Sequence, residues 1–303
     1  MIWVALAILG VMAAVWPFAV ERQKPDIDDG VRRGAPGSFA ALSDGRTHFQ
    51  WHGPADGAPM VCVHGLTTPS FVWEPMLPGL TAAGYRVLTY DLYGRGFSDR
   101  PKGAQTRSFF MRQLRDLLDH EGVDGPFVLM GYSMGGSIVT VFASEEPDRV
   151  SDLVLLAPAG ITHRPTKLMA FVQNSGRVGE WLMLLFGGRD LRKGAMRSPG
   201  PQGFAQRQVA ELGWRGYLPA VLSSQRNLLA ETLEDEHRDL AEMGVPTIAI
   251  WGADDTVIPI SAMGDLAQWN RNARQTEIAG AGHALGVTHP DEVLAALETL
   301  RQA

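Results

Sequence analysis

Short, near-continuous apolar runs closed by turn residues recur along the chain: MVCVHG at 60–65, RVLTYD at 86–91, FVLMG at 127–131 and LVLLAPAG at 153–160. Continuous rather than alternating apolar character is the pattern of strands buried on both faces of a parallel sheet. Helical periodicities lie between them. SFFMRQLRDLLDHEG at 108–122 sets Phe110, Leu114, Leu117 and Leu118 on one face, with Gly122 placed as a C-cap, and Met134 to Ala143 supplies another such segment. This alternation predicts an α/β fold, a mostly parallel sheet flanked by helices. After Gly160 the alternation stops, then resumes with VPTIAIWG at 245–252 and QTEIAGAGH at 275–283. A closing helix follows, with Pro290 near its first position and Val293, Leu294, Leu297 and Leu300 on one face. The interval 162–243 is itself helical in pattern (KLMAFV, VGEWLMLLF, WRGYLPAVLSSQRNLLAETL) and reads as an inserted helical cap, since a structureless loop of that length is improbable. The expected core is therefore 38–161 together with 244–303.

The N-terminus follows a different pattern. Residues 1–20, MIWVALAILGVMAAVWPFAV, contain no charged side chain, and about 20 helical residues at about 1.5 Å each match a bilayer core of about 30 Å. Trp3 and Trp16 sit near its two ends, as interfacial aromatics do, and Pro17 is tolerable close to a helix end. The stretch lacks a basic leader and has no convincing small-x-small cleavage site, which favours an uncleaved transmembrane anchor over a signal peptide or an ordinary helix. Residues 21–37, rich in charge, Gly and Pro, read as a juxtamembrane linker. Arg22, Lys24, Arg32 and Arg33 on this side place the main domain in the cytoplasm by the positive-inside rule, export after cleavage being the alternative.

Composition narrows the function classes. The 303-residue chain is 45% hydrophobic and 20% charged, with a net charge of −6. That acidic balance, with no cluster of Lys and Arg suited to a nucleic-acid backbone singled out along the chain, argues against nucleic acid as the main partner. Cys62 is the single cysteine, which excludes an internal disulfide and a Cys-rich metal site; it lies in the apolar MVCV run as a core residue.

Candidate chemistry centres on GYSMGG, 131–136, directly after the apolar run ending at Met130. A Gly-x-Ser-x-Gly match alone is weak, but strand–Gly-x-Ser-x-Gly–helix is specific: the sharp turn lifts the serine hydroxyl clear of the backbone and needs small neighbours, here Gly131 and Gly135. The helix that starts at Met134 aims its free N–H groups at the same point. A serine hydroxyl needs a base oriented by an acid. WGADDTVIP at 251–259 supplies Asp254 and Asp255 just beyond one strand, and AGAGHALG supplies His283 just beyond the next.

Taken together, VHG at 63–65, DLYGRGFSDRP at 91–101, GYSMGG at 131–136, WGADDTVIP at 251–259 and GAGH at 280–283 resemble the α/β-hydrolase superfamily over nearly all of 38–302. The resemblance implies Ser133 as nucleophile, His283 as general base and acid, and an acid after the penultimate strand. The family spacing Gly-x-x-Asp-x-x-x-Pro is met by Gly252, Asp255 and Pro259, whereas Asp254 is one position early. It also implies an oxyanion hole from the backbone N–H groups of Leu66 and Met134. His64 reads as a structural histidine, and Asp91, Arg95 and Ser98 as a structural turn. His289 belongs with the start of the last helix, and His48, His52, His120, His163 and His237 have no motif context.

The implied activity is hydrolysis of carboxylic esters through an acyl-enzyme, with no metal or organic cofactor. The anchor and the apolar cap favour a lipophilic substrate of monoacylglycerol or lysolipid type. Serine in the elbow disfavours dehalogenase and epoxide-hydrolase chemistry. A C–C bond hydrolase, a perhydrolase, an acyltransferase and a non-catalytic ligand receptor of the same fold are the alternatives.

Overall fold

The computed structural model describes residues 1–162, 165–198 and 200–302, so His163 lies outside the described residues. Among these, eight strands form one sheet: β1 (Ser38–Leu42), β2 (Gly45–His52), β3 (Ala58–Val63), β4 (Tyr85–Tyr90), β5 (Phe127–Tyr132), β6 (Val150–Leu156), β7 (Thr247–Gly252) and β8 (Arg274–Ile278). Their order is β1-β2-β4-β3-β5-β6-β7-β8, and all neighbours from β4 onward pair in parallel. The β1–β2 hairpin, absent from the sequence-based expectation, joins this sheet antiparallel to β4.

The pleat explains the two-sided core. Along β3, Val61 and Val63 face one helical layer while Met60 and Cys62 face the other. The first layer contains the helices Arg107–Glu121 and Met134–Glu145, whose Leu114, Leu117, Leu118 and Ile138 are fully buried, each such side chain contributing roughly 1.5–3 kcal/mol. Thr106, which the sequence reading did not single out, caps the first of these helices by accepting from the Phe109 N–H at 3.3 Å, and Gly122 ends it at φ 66°, the C-cap expected from the sequence. The second layer includes the closing helix Pro290–Gln302, which buries Val293 and Leu297.

Between β6 and β7 the chain is helical, with Lys167–Asn174, Gly176–Leu182, Gly188–Arg197, Phe204–Ala210 and Tyr217–Arg226 enclosing a small apolar cluster of their own that includes Val172, Met183, Tyr217 and Val221. The helix Glu234–Met243 differs from the expected cap boundary at 243. Its Leu240, with Leu233 just before it, belongs to the main core and packs with the helix Met134–Glu145. The covering helices thus end near Arg226.

At the N-terminus a helix runs Ile2–Gln23, three residues past the charge-free stretch, with its apolar side chains largely exposed. Residues 21–37 are fastened down rather than hanging as a free linker. Asp28 caps the short helix Asp29–Arg32, and buried Arg32 donates from Nε to the Phe97 carbonyl at 3.1 Å and from its guanidinium to Asp99.

Candidate active site

Ser133 occupies the turn between β5 and the helix Met134–Glu145, at φ 54° and ψ −120°, a conformation that L side chains rarely adopt. Three backbone bonds hold it there. Its N–H donates to the Leu156 carbonyl at 3.0 Å, and its own carbonyl accepts from Gly136 at 2.8 Å and Ala159 at 2.9 Å. The flanking glycines are required by space: a Cβ on Gly131 would stand 2.5 Å from the Gly135 carbonyl oxygen, and one on Gly135 would stand 2.0 Å from the Val63 carbonyl oxygen.

His283, in the loop after β8, brings Nε2 to 2.9 Å from the Ser133 Oγ and Nδ1 to 2.7 Å from Asp255 Oδ2. The Asp255 carboxylate is buried and its other oxygen accepts from the N–H groups of Val257 at 2.7 Å and Ile258 at 2.9 Å, so it is held in one orientation. Gly252 permits the approach of the two loops, because a Cβ there would meet the Ala281 carbonyl at 2.5 Å. Of the two adjacent acids, Asp255 reaches His283 and Asp254 is exposed.

Met134 is the first residue of its helix, so its N–H has no intrahelical acceptor. Leu66 lies in the loop after β3, which passes close to Ser133: a Cβ on Gly65 would stand 3.2 Å from the Ser133 Cβ. This loop is fixed from three sides. His64 donates from Nδ1 to the Gly65 carbonyl at 2.8 Å and accepts at Nε2 from the Leu92 N–H at 2.9 Å; burial pulls its pKa down to about 4, which keeps it neutral. Buried Arg95 donates to the Leu66 carbonyl at 3.0 Å and to Ser224 Oγ at 2.8 Å on a covering helix, and Tyr217 donates to the Thr67 carbonyl at 2.7 Å. Asp91 bonds His48 and the N–H groups of Ser70 and Phe97; burial opposes its charge, yet these partners hold it down to about 2. His64, Asp91 and Arg95 therefore shape the loops rather than face the cavity.

Sequence reasoning missed Tyr132. Its phenol donates to the His283 carbonyl at 2.8 Å while its ring lies against the imidazole, centroids 5.4 Å apart. The only sequence signal was its place beside the elbow serine.

A cavity of about 470 Å³ opens over Ser133 and His283, roofed by the covering helices through Met169, Leu191 and Leu212. Gln208 and Gln225 add polar points to a mainly apolar wall. Among the described residues no group of three or more His, Cys, Asp or Glu side chains is placed to hold a metal ion. An oriented Ser-His-Asp relay beside the free N–H end of a helix and a mainly apolar cavity is suited to nucleophilic attack on a carbonyl.

Comparison with known proteins agrees with this architecture. Residues 58–290 match the family described as alpha/beta hydrolase fold. A pimeloyl-[acyl-carrier protein] methyl ester esterase of Aliivibrio salmonicida is 27% identical over 262 residues, covering 84% of this chain and 97% of its own. A non-heme chloroperoxidase of Streptomyces lividans is 27% identical over 264 residues, covering 82% and 94%. Among solved structures, a bacterial membrane phospholipase A superposes with a TM-score of 0.71 at 21% identity, covering 100% of this chain and 98% of its own, a likeness of fold.

Proposed function

Because the chain belongs to the alpha/beta hydrolase fold family, we propose that it is a serine hydrolase that cleaves carboxylic esters with an apolar acyl part. The observation that carries this reading is the relay from Ser133 Oγ through His283 to the buried Asp255, at 2.9 and 2.7 Å, on the floor of the apolar cavity. Ser133 Oγ attacks the ester carbonyl carbon as His283 Nε2 takes its proton, and the oxyanion is met by the N–H groups of Leu66 and Met134. The tetrahedral intermediate collapses when His283 returns that proton to the leaving alcohol, which departs and leaves the acyl group on Ser133. Water then attacks the acyl-enzyme with His283 again as base, releasing the acid and restoring the hydroxyl. Asp255 holds the imidazole tautomer and stabilises the imidazolium in both halves.

The most apolar 18-residue stretch of the exposed helix Ile2–Gln23 has a mean hydropathy of 2.2, which supports a single-pass anchor with the enzyme on the side of Arg22, Lys24, Arg32 and Arg33, the cytoplasmic side. An anchored enzyme with an apolar cavity favours a membrane-borne ester such as a monoacylglycerol or lysolipid. The test is turnover of a chain-length series of p-nitrophenyl esters by the wild type and by Ser133→Ala. Turnover that rises with chain length and is lost in the variant supports the reading; wild-type turnover in Ser133→Ala refutes it.

A further inference from the structure

The apolar helix is not a loose tether, because a proline joins it to the covering helices. Pro17 lies inside Ile2–Gln23, six residues before its end, and lacks the N–H that would bond the carbonyl four residues earlier. That carbonyl belongs to Ala13, and it accepts instead from the indole N–H of Trp181 at 3.0 Å. Below this joint the Glu21 carboxylate accepts from the Gly216 N–H at 2.7 Å, the Arg215 N–H donates to the Pro25 carbonyl at 2.9 Å, and the Arg215 guanidinium pairs with Asp26.

The joint fixes a depth. The first charged residue of the chain is Glu21, so the apolar stretch ends at Val20. Ala13 lies seven residues before that boundary, about 10 Å along the helix axis. If Ile2–Gln23 spans a bilayer, whatever bonds Ala13 reaches below the surface of that bilayer, where an unmet carbonyl is expensive. Trp181 and its neighbours are dressed for that position. Val178, Leu185 and Phe186 are exposed beside it, and Leu168 and Phe171 are exposed on the adjoining helix Lys167–Asn174. The charge changes sign as well. Residues 167–198 carry six basic and two acidic side chains, in a chain whose net charge is −6.

The helix Gly188–Arg197 shows both faces. Leu191, Gly194 and Ala195 line the cavity, whereas Arg189, Arg192 and Lys193 are exposed on the other side. The same helices therefore wall the cavity with one face and present apolar and cationic groups with the other. An anionic phospholipid surface is the occupant whose chemistry meets all of this at once, being continuous with the surroundings of the apolar helix, apolar beneath its headgroups and negative at them.

We propose that this outer face of the covering helices, centred on Trp181, is a membrane-docking surface that seats on anionic phospholipid, so that lipid esters pass from the leaflet into the cavity. The proposal rests on the anchor reading of Ile2–Gln23. It is tested on the full-length protein in phosphatidylcholine vesicles with and without about 30 mol% phosphatidylglycerol. Val178→Cys, Phe186→Cys and the distant exposed Asp124→Cys are each labelled with an environment-sensitive fluorophore, Cys62 being fully buried.

Floated vesicles are expected to carry the protein with the labels at 178 and 186 blue-shifted and quenched by a nitroxide on the acyl chain, and the label at 124 unchanged. Labels at 178 and 186 that match the one at 124 overturn the docking surface and leave the anchor standing. A blue shift without lipid quenching overturns it in favour of a second copy of the chain. Protein that does not float overturns the anchor and the docking surface together. None of these readings needs turnover, so they stand apart from the esterase assignment. As a second arm, Arg192→Glu with Lys193→Glu is expected to slow hydrolysis of a vesicle-borne ester at least ~tenfold on anionic vesicles, with p-nitrophenyl acetate turnover unchanged; an equal rate on the vesicle ester contradicts the proposal.

Discussion

The backbone at Ser133 makes a prediction that separates conformational strain from lost chemistry. At φ 54° and ψ −120° a side chain is held against its own backbone, a strain of roughly 1–3 kcal/mol. Glycine adopts this conformation freely but loses about 0.5–1 kcal/mol more chain entropy on folding. Ser133→Gly and Ser133→Ala both delete the hydroxyl and its bond to His283, so that loss cancels when the two are compared. What remains is the Cβ, which alanine keeps and glycine removes. Ser133→Gly is expected to exceed Ser133→Ala in stability by roughly 1 kcal/mol. Urea unfolding of both full-length variants in one detergent, followed by intrinsic fluorescence, gives the comparison, with equal slopes required for the midpoints to report stability. A glycine variant no more stable than the alanine variant refutes the argument that the elbow stores strain at this residue.

Three further outcomes follow from the same geometry. Asp255→Asn lowers kcat by roughly 10³–10⁴-fold, because the amide no longer holds the imidazole tautomer, whereas the exposed Asp254→Asn turns over at the wild-type rate; steady-state kinetics on one ester checks both. Tyr132→Phe strands the His283 carbonyl and loosens the loop behind the imidazole, so kcat falls several-fold at an unchanged KM, an effect of about 1 kcal/mol; a change confined to KM would count against a positioning role. His237 is fully buried, neither ring nitrogen has a hydrogen-bond partner among the described residues, and burial draws its pKa from 6.5 down to about 4. Its folded-state pKa is depressed, so the unfolded chain binds the extra proton and stability is lost as pH falls from 6.5 toward 4, by on the order of 3 kcal/mol. His237→Leu is expected to flatten that part of the stability profile, measured by urea midpoints at pH 7 and 5; an unaltered acid slope rules out this source.

The strands β3 to β7 were legible because burial on both faces leaves a continuous apolar run, and the helix ending at Gly122 because its periodicity and its C-cap agree there. The hairpin β1–β2 was not. GRTHFQWH buries Thr47, His48 and Phe49 in a row among polar residues, a pattern set by the Asp91 and Ser98 partners that only the fold supplies. Ser133, Asp255 and His283 could be singled out because each follows a strand at the same edge of the sheet, where loop chemistry is read locally. Tyr132 and Arg95 act on loops distant in sequence, through carbonyl oxygens that every residue possesses, so no residue type marked their partners. Arg32 looked like one more charge in a linker, and only its burial against Phe97 and Asp99 shows that the segment is fixed. The Pro17–Trp181 joint escaped for a related reason: proline announces a missing hydrogen bond but not what replaces it.

Covalent capture tests the assignment of Ser133 as nucleophile without assuming any substrate. The full-length protein is treated with a fluorophosphonate, its intact mass is measured, and the modified peptide is mapped. One adduct per chain is expected, located on Ser133, formed slowly in Asp255→Asn and absent from Ser133→Ala. An adduct on another residue, or undiminished labelling of Ser133→Ala, would contradict the assignment.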